Sequence, residues 1–282
     1  MIGQQTLIDT FDSLVRKNKF PRFTILAGKE GSGKTTLAKE IHRIINSYIN
    51  GIVLEFELPD VKIDTIREMI KQAYAITEPC VYIISNADDM SVAAKNALLK
   101  VTEEPPNNAY FIMTLKDTNN TLETIRSRGT IFNLVPYSRQ ELEEYLATLT
   151  IPTNNDKELI LQVAETPGDI RALLIYGIQD FYTYVQKVVD NIAVVSGANA
   201  FKIANKVALK SDDEGYSMEM FFRIFQHICH QNLINTEDEQ EKDIWFSGIT
   251  ITNNHLLNLS IKGANRQFII DSWILEIRRS WM

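Results

Sequence analysis

Short apolar runs alternate with amphipathic stretches over the first 135 residues. Each run holds about four to six residues, many of them β-branched or aromatic, which is typical of strands buried in a sheet. The stretches between the runs repeat apolar residues at helical spacing. This alternation predicts an α/β core over residues 1–135, a three-layer domain with a five-stranded parallel sheet. The predicted strands are Phe23–Ala27, Ile52–Glu57, Val81–Ile84, Tyr110–Met113 and Thr130–Leu134.

The pattern changes after Pro136. Residues 136–180 open with Ser138-Arg139-Gln140-Glu141, a capping-box pattern typical of a helix start, and predict a small helical lid. Residues 181–282 show helical periodicity and few strand signals, which predicts an all-α C-terminal domain. Its helical runs are Phe181–Val195, Ala198–Leu209, Met218–Asn232 and Arg266–Trp281.

Composition narrows the class of protein. The chain has 282 residues, 45% hydrophobic and 23% charged, as in globular proteins of more than one domain. Cys80 and Cys229 are its only cysteines, which indicates a reducing compartment. No apolar stretch is long enough to span a bilayer, so we expect a cytoplasmic protein without a membrane partner. The net charge of -7 argues against a stand-alone DNA-binding protein, whose affinity would come largely from releasing phosphate counterions.

Residues Gly28-Lys29-Glu30-Gly31-Ser32-Gly33-Lys34-Thr35 match the phosphate-binding loop pattern. The three glycines allow a tight turn that aims backbone N–H groups at a β-phosphate, and the following helix adds its positive end. Lys34 would bridge the β- and γ-phosphates, and the Thr35 hydroxyl would bind Mg²⁺. A predicted strand precedes the loop, and a helical pattern begins at Thr36, which is also a candidate nucleotide-binding residue. This context favours binding of ATP or ADP with Mg²⁺ over an ordinary glycine-rich turn.

The predicted strand Val81–Ile84 is followed by Ser85-Asn86, where phosphate-loop ATPases usually carry an acidic pair. An Asp there orients the Mg²⁺ shell, and an acidic neighbour polarises the attacking water. Ser85 brings no charge, and Asn86 can orient a water but cannot take its proton. We therefore expect nucleotide binding with weak or absent hydrolysis. Asp88 and Asp89 could substitute, but a solvated turn and helix start is the favoured interpretation.

The residues beyond this strand resemble a known family. Asn86-Ala87-Asp88-Asp89-Met90, Ala94-Lys95-Asn96-Ala97-Leu98-Leu99-Lys100 and Glu103-Glu104-Pro105-Pro106 resemble the signature after the Walker B strand in clamp-loader subunits of the AAA+ class. Ile125-Arg126-Ser127-Arg128-Gly129 resembles the Ser-Arg-Cys motif of that family, with Gly129 in place of the cysteine. The resemblance runs over most of the chain. It points to the DNA polymerase III delta-prime/gamma and replication factor C-like subunits.

The resemblance implies roles for four further positions. Arg128 matches the arginine finger, which reaches across a subunit boundary to the γ-phosphate held by a neighbour; a solvated loop arginine is the alternative. Thr114 matches the polar sensor beside the γ-phosphate, and Arg171 matches the second sensor, which the lid brings over the nucleotide. A satisfied strand-end threonine and a helix-surface arginine are their alternatives. Ile2, in Ile2-Gly3-Gln4, matches the box whose backbone lies against the adenine.

The chain departs from the family pattern in two respects. Motor and stator subunits usually carry a four-cysteine zinc module between the phosphate loop and the Walker B strand, and two cysteines rule out such a zinc site. The interval from Lys34 to Ser85 is also short for the family. This trimmed core suggests a phage or another divergent replication system, acting in a bacterial cell or a phage-infected host.

The family resemblance also implies surfaces for partners. The C-terminal domain would form the collar that joins five subunits, and the helix Trp273–Trp281 is equally a candidate for subunit packing and for closing its own core. Lys95 and Lys100 lie on the helix that matches the DNA-facing one, although solvated lysines are the favoured interpretation. The predicted buried stripe of that helix is Ala94, Ala97, Leu98 and Val101.

We therefore expect a subunit of a sliding-clamp loader that places a processivity ring on primed DNA. Its partners would be other clamp-loader subunits, the sliding clamp and, through the assembled complex, primed DNA. An active motor ATPase that uses Asp88 or another carboxylate is one alternative. An AAA+ DNA repair or recombination protein that remodels DNA without a clamp is another, and the string Leu98-Leu99-Lys100…Glu103-Glu104-Pro105-Pro106 counts against it.

Overall fold

The computed structural model describes the chain apart from residues 1, 50, 151–152, 195, 197–198, 203–216, 260 and 262. The chain divides into two compact units, each made of two separate segments of the sequence. The first unit contains residues 1–145 and 166–168, and the second contains residues 146–165 and 169–282. The predicted division into three parts at residues 136 and 181 stays a prediction.

A parallel sheet in the order β2-β3-β4-β1-β5 forms the centre of the first unit. The strands are β1 (Phe23–Ala27), β2 (Leu54–Glu57), β3 (Cys80–Ile84), β4 (Ala109–Leu115) and β5 (Thr130–Asn133). The three inner strands are buried almost throughout, as expected where helices cover both faces of a sheet. All five predicted strands are confirmed, with bounds that shift by two residues at most.

Helices cover both faces of this sheet. The helices of the first unit are α1 (Gln5–Arg16), α2 (Lys34–Tyr48), α3 (Ile63–Ala75), α4 (Val92–Glu103), the short α5 (Glu123–Arg126) and most of α6 (Arg139–Ala147). One core cluster joins α1 and α2 to the sheet through Phe11 and Leu37. The other joins α3 and α4 to it through Ile66 and Leu98. The predicted three-layer core is confirmed.

The predicted capping box at the start of α6 is also confirmed. Glu141 N donates a hydrogen bond of 3.3 Å to Ser138 Oγ, and Ser138 N donates one of 2.7 Å to Glu141 Oε2. The two residues thus satisfy backbone N–H groups that the first turn of a helix leaves without intrahelical partners.

Helix α4 buries a wider face than its apolar stripe indicates. Ala94, Leu98 and Val101 are fully buried, as predicted, whereas Ala97 is only partly buried. Lys95 is 4% exposed, so its interpretation as a solvated lysine is wrong, whereas Lys100 is exposed. Thr102 lies seven residues after Lys95 on the same side of the helix and is buried too, at 6% exposure.

The second unit is helical where the structure describes it. It contains the end of α6, then α7 (Asn154–Val163), most of α8 (Pro167–Tyr176), α9 (Ile178–Ile192), α10 (Met218–Asn235), α11 (Glu239–Leu259) and α12 (Arg266–Trp281). The predicted helical character of the C-terminal region is confirmed in this part, and the run Ala198–Leu209 lies largely outside the described residues. None of the helices in the described ranges is both long and apolar enough to cross a membrane.

An aromatic cluster organises the core of the second unit. Three phenylalanines of α10 surround Trp273 of α12, with ring centroids 4.8–5.6 Å from that of the indole. Trp273 Nε1 donates a hydrogen bond of 2.9 Å to Thr252 Oγ1, so the buried indole N–H is satisfied. Helix α12 therefore closes the core of its own unit. The phenylalanines are Phe221, Phe222 and Phe225.

Gly129 fits closely against the central strand β1. A Cβ atom at this position would lie 2.7 Å from Cδ1 of Ile25 and 2.9 Å from Cε1 of Phe23. Both side chains are buried, Ile25 completely. The space that a cysteine would need at the end of the Ser-Arg-Cys motif is thus filled by β1, which gives a steric reason for glycine here.

Gly129→Ala should lower the free energy of unfolding by about 1–3 kcal/mol, because the added methyl group overpacks a dense core. Chemical denaturation measures this change. In the double variant Gly129→Ala/Ile25→Ala, the shorter side chain makes room for the methyl group. Its loss should therefore be smaller than the sum of the two single losses. Strict additivity would contradict the steric explanation.

Candidate functional site

The predicted phosphate-binding loop lies between β1 and α2. Gly31 and Gly33 adopt φ values of +73° and +84°, the left-handed region in which glycine carries no steric penalty. Gly28 N donates a hydrogen bond of 3.1 Å to Leu115 O, which ties the start of the loop to the end of β4. Helix α2 begins at Lys34, so its N-terminus faces the loop. A strand, a glycine turn and a helix therefore follow one another as an anion-binding loop requires.

Lys34 is turned back into this loop. Its Nζ donates hydrogen bonds of 2.7 Å each to the carbonyl oxygens of Gly28 and Lys29. Burial lowers the pKa of Lys34, while the negative charges of Asp88 and Glu30 act in the opposite direction. The ammonium group is thus a poorly hydrated cation held by two backbone carbonyl groups, which is suited to pairing with a phosphate.

Gly31 is also the point where the loop meets residues 166–168. Gly168 N donates a hydrogen bond of 3.0 Å to Gly31 O. A Cβ atom on Gly31 would lie 2.6 Å from Thr166 Oγ1 and 2.9 Å from Gly168 Cα. Only glycine satisfies both the backbone angle and the space at this position.

The hydroxyl of Thr35 meets a second hydroxyl instead of a carboxylate. Thr35 Oγ1 and Ser85 Oγ lie 3.1 Å apart and share a hydrogen bond. Asn86 follows at a φ of +54°, and its backbone N–H donates a hydrogen bond of 3.0 Å to Thr114 Oγ1. The structure thus brings together the loop, the end of β3 and the buried Thr114 of β4. Thr36, the next residue of α2, is exposed.

Asp88 is a buried structural group and not part of a solvated turn. It is 7% exposed, and its carboxylate accepts hydrogen bonds from Lys116 N at 2.7 Å and Asp117 N at 3.4 Å. The left-handed turn at Asn86 directs the chain back towards the sheet, which buries this carboxylate. The solvated-turn interpretation is therefore wrong for Asp88, whereas Asp89 is exposed.

Lys116 forms a second link between β4 and the loop. Its ammonium group forms an ion pair with the carboxylate of Glu30. Burial acts to lower the pKa of Lys116, but the carboxylates of Glu30, Asp89 and Asp88 outweigh it and raise the pKa. Lys116 therefore stays charged beside the loop. The signal that could have revealed it is its place directly after β4, at the same sheet edge as the loop.

The N-terminal box is tied to the core by Gln4, although Ile2 is the residue predicted to line the site. Gln4 is 3% exposed, donates a hydrogen bond of 2.7 Å to Val135 O and accepts one of 3.0 Å from Val135 N. Tyr137 packs against Gly3, and its hydroxyl donates a hydrogen bond of 2.9 Å to Ser32 O. Ile2 is half-buried and directly precedes Gly3, and its role beside the nucleotide stays a prediction.

The two arginines that were predicted to contact nucleotide lie in different units of the chain. Arg128 lies between α5 and β5, in the first unit, and forms an ion pair with Glu103 at the end of α4. Arg171 is exposed on α8 in the second unit, and its role as second sensor stays a prediction.

Gln4→Ala should lower the free energy of unfolding by about 1–3 kcal/mol, because it leaves the N–H and C=O of Val135 without their buried partner. Gln5→Ala is the matched control, since Gln5 is exposed and its side chain donates a hydrogen bond to Asp9 of its own helix; it should change stability by about 0.5 kcal/mol or less. Urea denaturation of both variants measures the difference. Equal losses would show that the pairing with Val135 contributes little.

The sequence of this chain is similar to those of known replication proteins. A family model described as "DNA polymerase III, delta subunit" matches residues 46–138. DNA polymerase III subunit gamma of Buchnera aphidicola subsp. Schizaphis graminum is 29% identical over 170 residues, which are 52% of this chain and 47% of that protein. Replication factor C small subunit of Saccharolobus solfataricus is 27% identical over 177 residues, 60% of this chain and 53% of that protein.

Replication factor C subunit 4 of Schizosaccharomyces pombe is similar over a longer region. It is 25% identical over 268 residues, which are 90% of this chain and 73% of that protein. The chain spans about half the length of the gamma subunit and of the archaeal small subunit. Its motifs, its phosphate-binding loop and these similarities support an AAA+ protein like the subunits of the DNA polymerase III and replication factor C clamp loaders.

Proposed function

We propose that this protein is a subunit of a sliding-clamp loader in DNA replication. It holds ATP or ADP with Mg²⁺, hydrolyses ATP slowly by itself and donates Arg128 to the nucleotide of a neighbouring subunit. The observation that carries the proposal is an intact phosphate-binding loop whose threonine faces the neutral Ser85. The names of the similar proteins, subunits of DNA polymerase III and of replication factor C, support the replication role.

Nucleotide binding is supported by the donors that converge on the loop. The N-terminus of α2 offers backbone N–H groups and the positive end of its dipole to a β-phosphate. The buried ammonium of Lys34 would exchange its two carbonyl partners for phosphate oxygens, and the phosphate charge would raise its lowered pKa. Thr35 would bind Mg²⁺, and Ile2 would lie against the base.

Slow hydrolysis follows from the chemistry at the end of β3. The hydroxyl at position 85 shares a hydrogen bond with that of Thr35 but adds no negative charge to the Mg²⁺ shell. The amide of Asn86 cannot accept the proton of an attacking water. Asp88 is poorly placed to substitute, because its carboxylate already accepts two backbone N–H groups after β4. The alternative of an active motor subunit therefore has less support.

Association with other subunits is supported by apolar side chains on α12. The helix closes the core of its unit through Trp273, yet it leaves Phe268 70% and Leu275 48% exposed. Two large apolar residues seven positions apart lie on the same side of a helix, as in helices that pack on a partner. Partners would be further clamp-loader subunits, with the clamp and primed DNA bound by the assembly. Exposed Lys100 of α4 stays a candidate for DNA contact.

The double variant Ser85→Asp/Asn86→Glu should turn over ATP at least about tenfold faster than the wild-type chain, because it supplies the missing metal partner and general base. Ser85→Asp/Asn86→Gln is the matched control, which has the charge at position 85 but no base, and it should stay slow. Turnover is measured as phosphate release by the purified chain. Rapid wild-type turnover that Lys34→Ala abolishes would contradict the proposal and favour the motor alternative.

Arg128→Ala should reduce the ATP turnover of the assembled clamp loader by about three orders of magnitude or more at the neighbouring site, because it removes a charge that stabilises the transition state. The measurement uses the chain mixed with the other clamp-loader subunits of its replication system, the clamp and primed DNA. Arg126→Ala is the control, since Arg126 lies on the same segment and bonds Asn119 in its own subunit. Equal turnover by the wild type and by Arg128→Ala would exclude the finger role.

A further inference from the structure

Arg128 is held inside its own subunit by both of its terminal nitrogens. Nη2 forms an ion pair with the carboxylate of Glu103, and Nη1 donates a hydrogen bond to the carbonyl oxygen of Thr124. The side chains of Arg128 and Glu103 are 30% and 51% exposed, so the pair lies at the surface and is open to approach.

Helix geometry gives no reason of its own for a glutamate at position 103. Glu103 is the last residue of α4, where the negative end of the helix dipole disfavours a carboxylate. The ion pair with Arg128 offsets this penalty. The next residue, Glu104, has the same side chain, and the described residues include no ion pair to its carboxylate. Glu103 and Glu104 thus form a natural pair of test and control positions.

The ion pair also sets how Arg128 can act on a phosphate. A guanidinium binds a phosphate most strongly through two parallel N–H bonds, and both terminal nitrogens of Arg128 already have acceptors. Its positive charge is compensated by one carboxylate. An anion that binds the N–H groups now facing Glu103 must replace this carboxylate, and an anion with more negative charge does so more readily.

We propose that Glu103 is a positioning residue that acts as a latch: it holds Arg128 in a charge-compensated position until a triphosphate in a neighbouring subunit displaces it. This inference rests on the proposed finger role of Arg128. Exposed ion pairs are weak, so the latch is easily opened and shifts the equilibrium of the arginine by about two- to fivefold. The latch favours a response to triphosphate over diphosphate, since the γ-phosphate supplies the additional charge near the subunit boundary.

The first test uses the chain alone. Phenylglyoxal modifies arginine side chains. Mass spectrometry measures the rate of modification of Arg128, with the rate at Arg126 as an internal reference. Glu103→Gln should raise the rate at Arg128 about two- to fivefold, and Glu104→Gln should leave it unchanged. Glu103→Asp, which keeps the charge on a shorter side chain, should give an intermediate rate. Equal rates in the wild type and Glu103→Gln would overturn the latch.

The second test separates the latch from the finger in the assembled clamp loader with primed DNA. Glu103→Gln should raise the finger-dependent ATP turnover about two- to fivefold at low ATP, and Glu104→Gln should match the wild type. The double variant Glu103→Gln/Arg128→Ala should equal Arg128→Ala, which a merely structural role of Glu103 would not produce. If Arg128→Ala has no effect, the proposed function fails. If Arg128→Ala lowers the ATP turnover but Glu103→Gln does not raise it, only the latch is contradicted.

Discussion

The parallel direction of all five strands is the constraint on which the site depends. Because the strands run the same way, the residues that follow β1, β3 and β4 emerge at one edge of the sheet. The phosphate-binding loop, the Ser85–Asn86 pair and Thr114 come from these three strands and meet there. The inner strands are buried on both faces, so their ends are fixed by the packing of two helical layers.

At this edge of the sheet, the carboxylates contact other protein groups and not the Thr35 hydroxyl. The Thr35 hydroxyl faces a neutral partner, whereas the nearby carboxylates of Asp88 and Glu30 are engaged with backbone N–H groups and with Lys116. These two acidic side chains therefore hold the site together through contacts within the protein. Under the proposed function, a small change in residue type after β3 would separate holding a nucleotide from cleaving it, without any change of fold.

The sequence was sufficient for features that repeat or that depend on local geometry. Five strands, the capping box at Ser138 and the stripe of α4 follow from periodicity and from short-range hydrogen bonding. It was insufficient for pairings between distant residues. Burial of Lys95 and Asp88 depends on which face a neighbour covers, and periodicity does not report that.

The residues that hold the site together were also not predictable from sequence, because their contacts join distant parts of the chain. Gln4 and Tyr137 contribute through contacts with Val135 and Ser32, far away in sequence, so neither was expected to matter. Glu103 belonged to a recognised motif, but its ion pair with Arg128 joins two motifs that are separate in the chain. Predicting such pairs requires the register of the strands, which no single segment contains.

The position of β1 has a consequence for synthesis of the protein. It is the first strand in the chain, yet its neighbours in the sheet are β4 and β5, the last two. The phosphate-binding loop therefore cannot gain its native surroundings until β5 has left the ribosome. Until then, strands made earlier have edges that lack hydrogen-bonding partners. Strand β1 is made before the other four strands of the sheet but gains both of its neighbours last, so the nucleotide site is complete only when the whole sheet has formed.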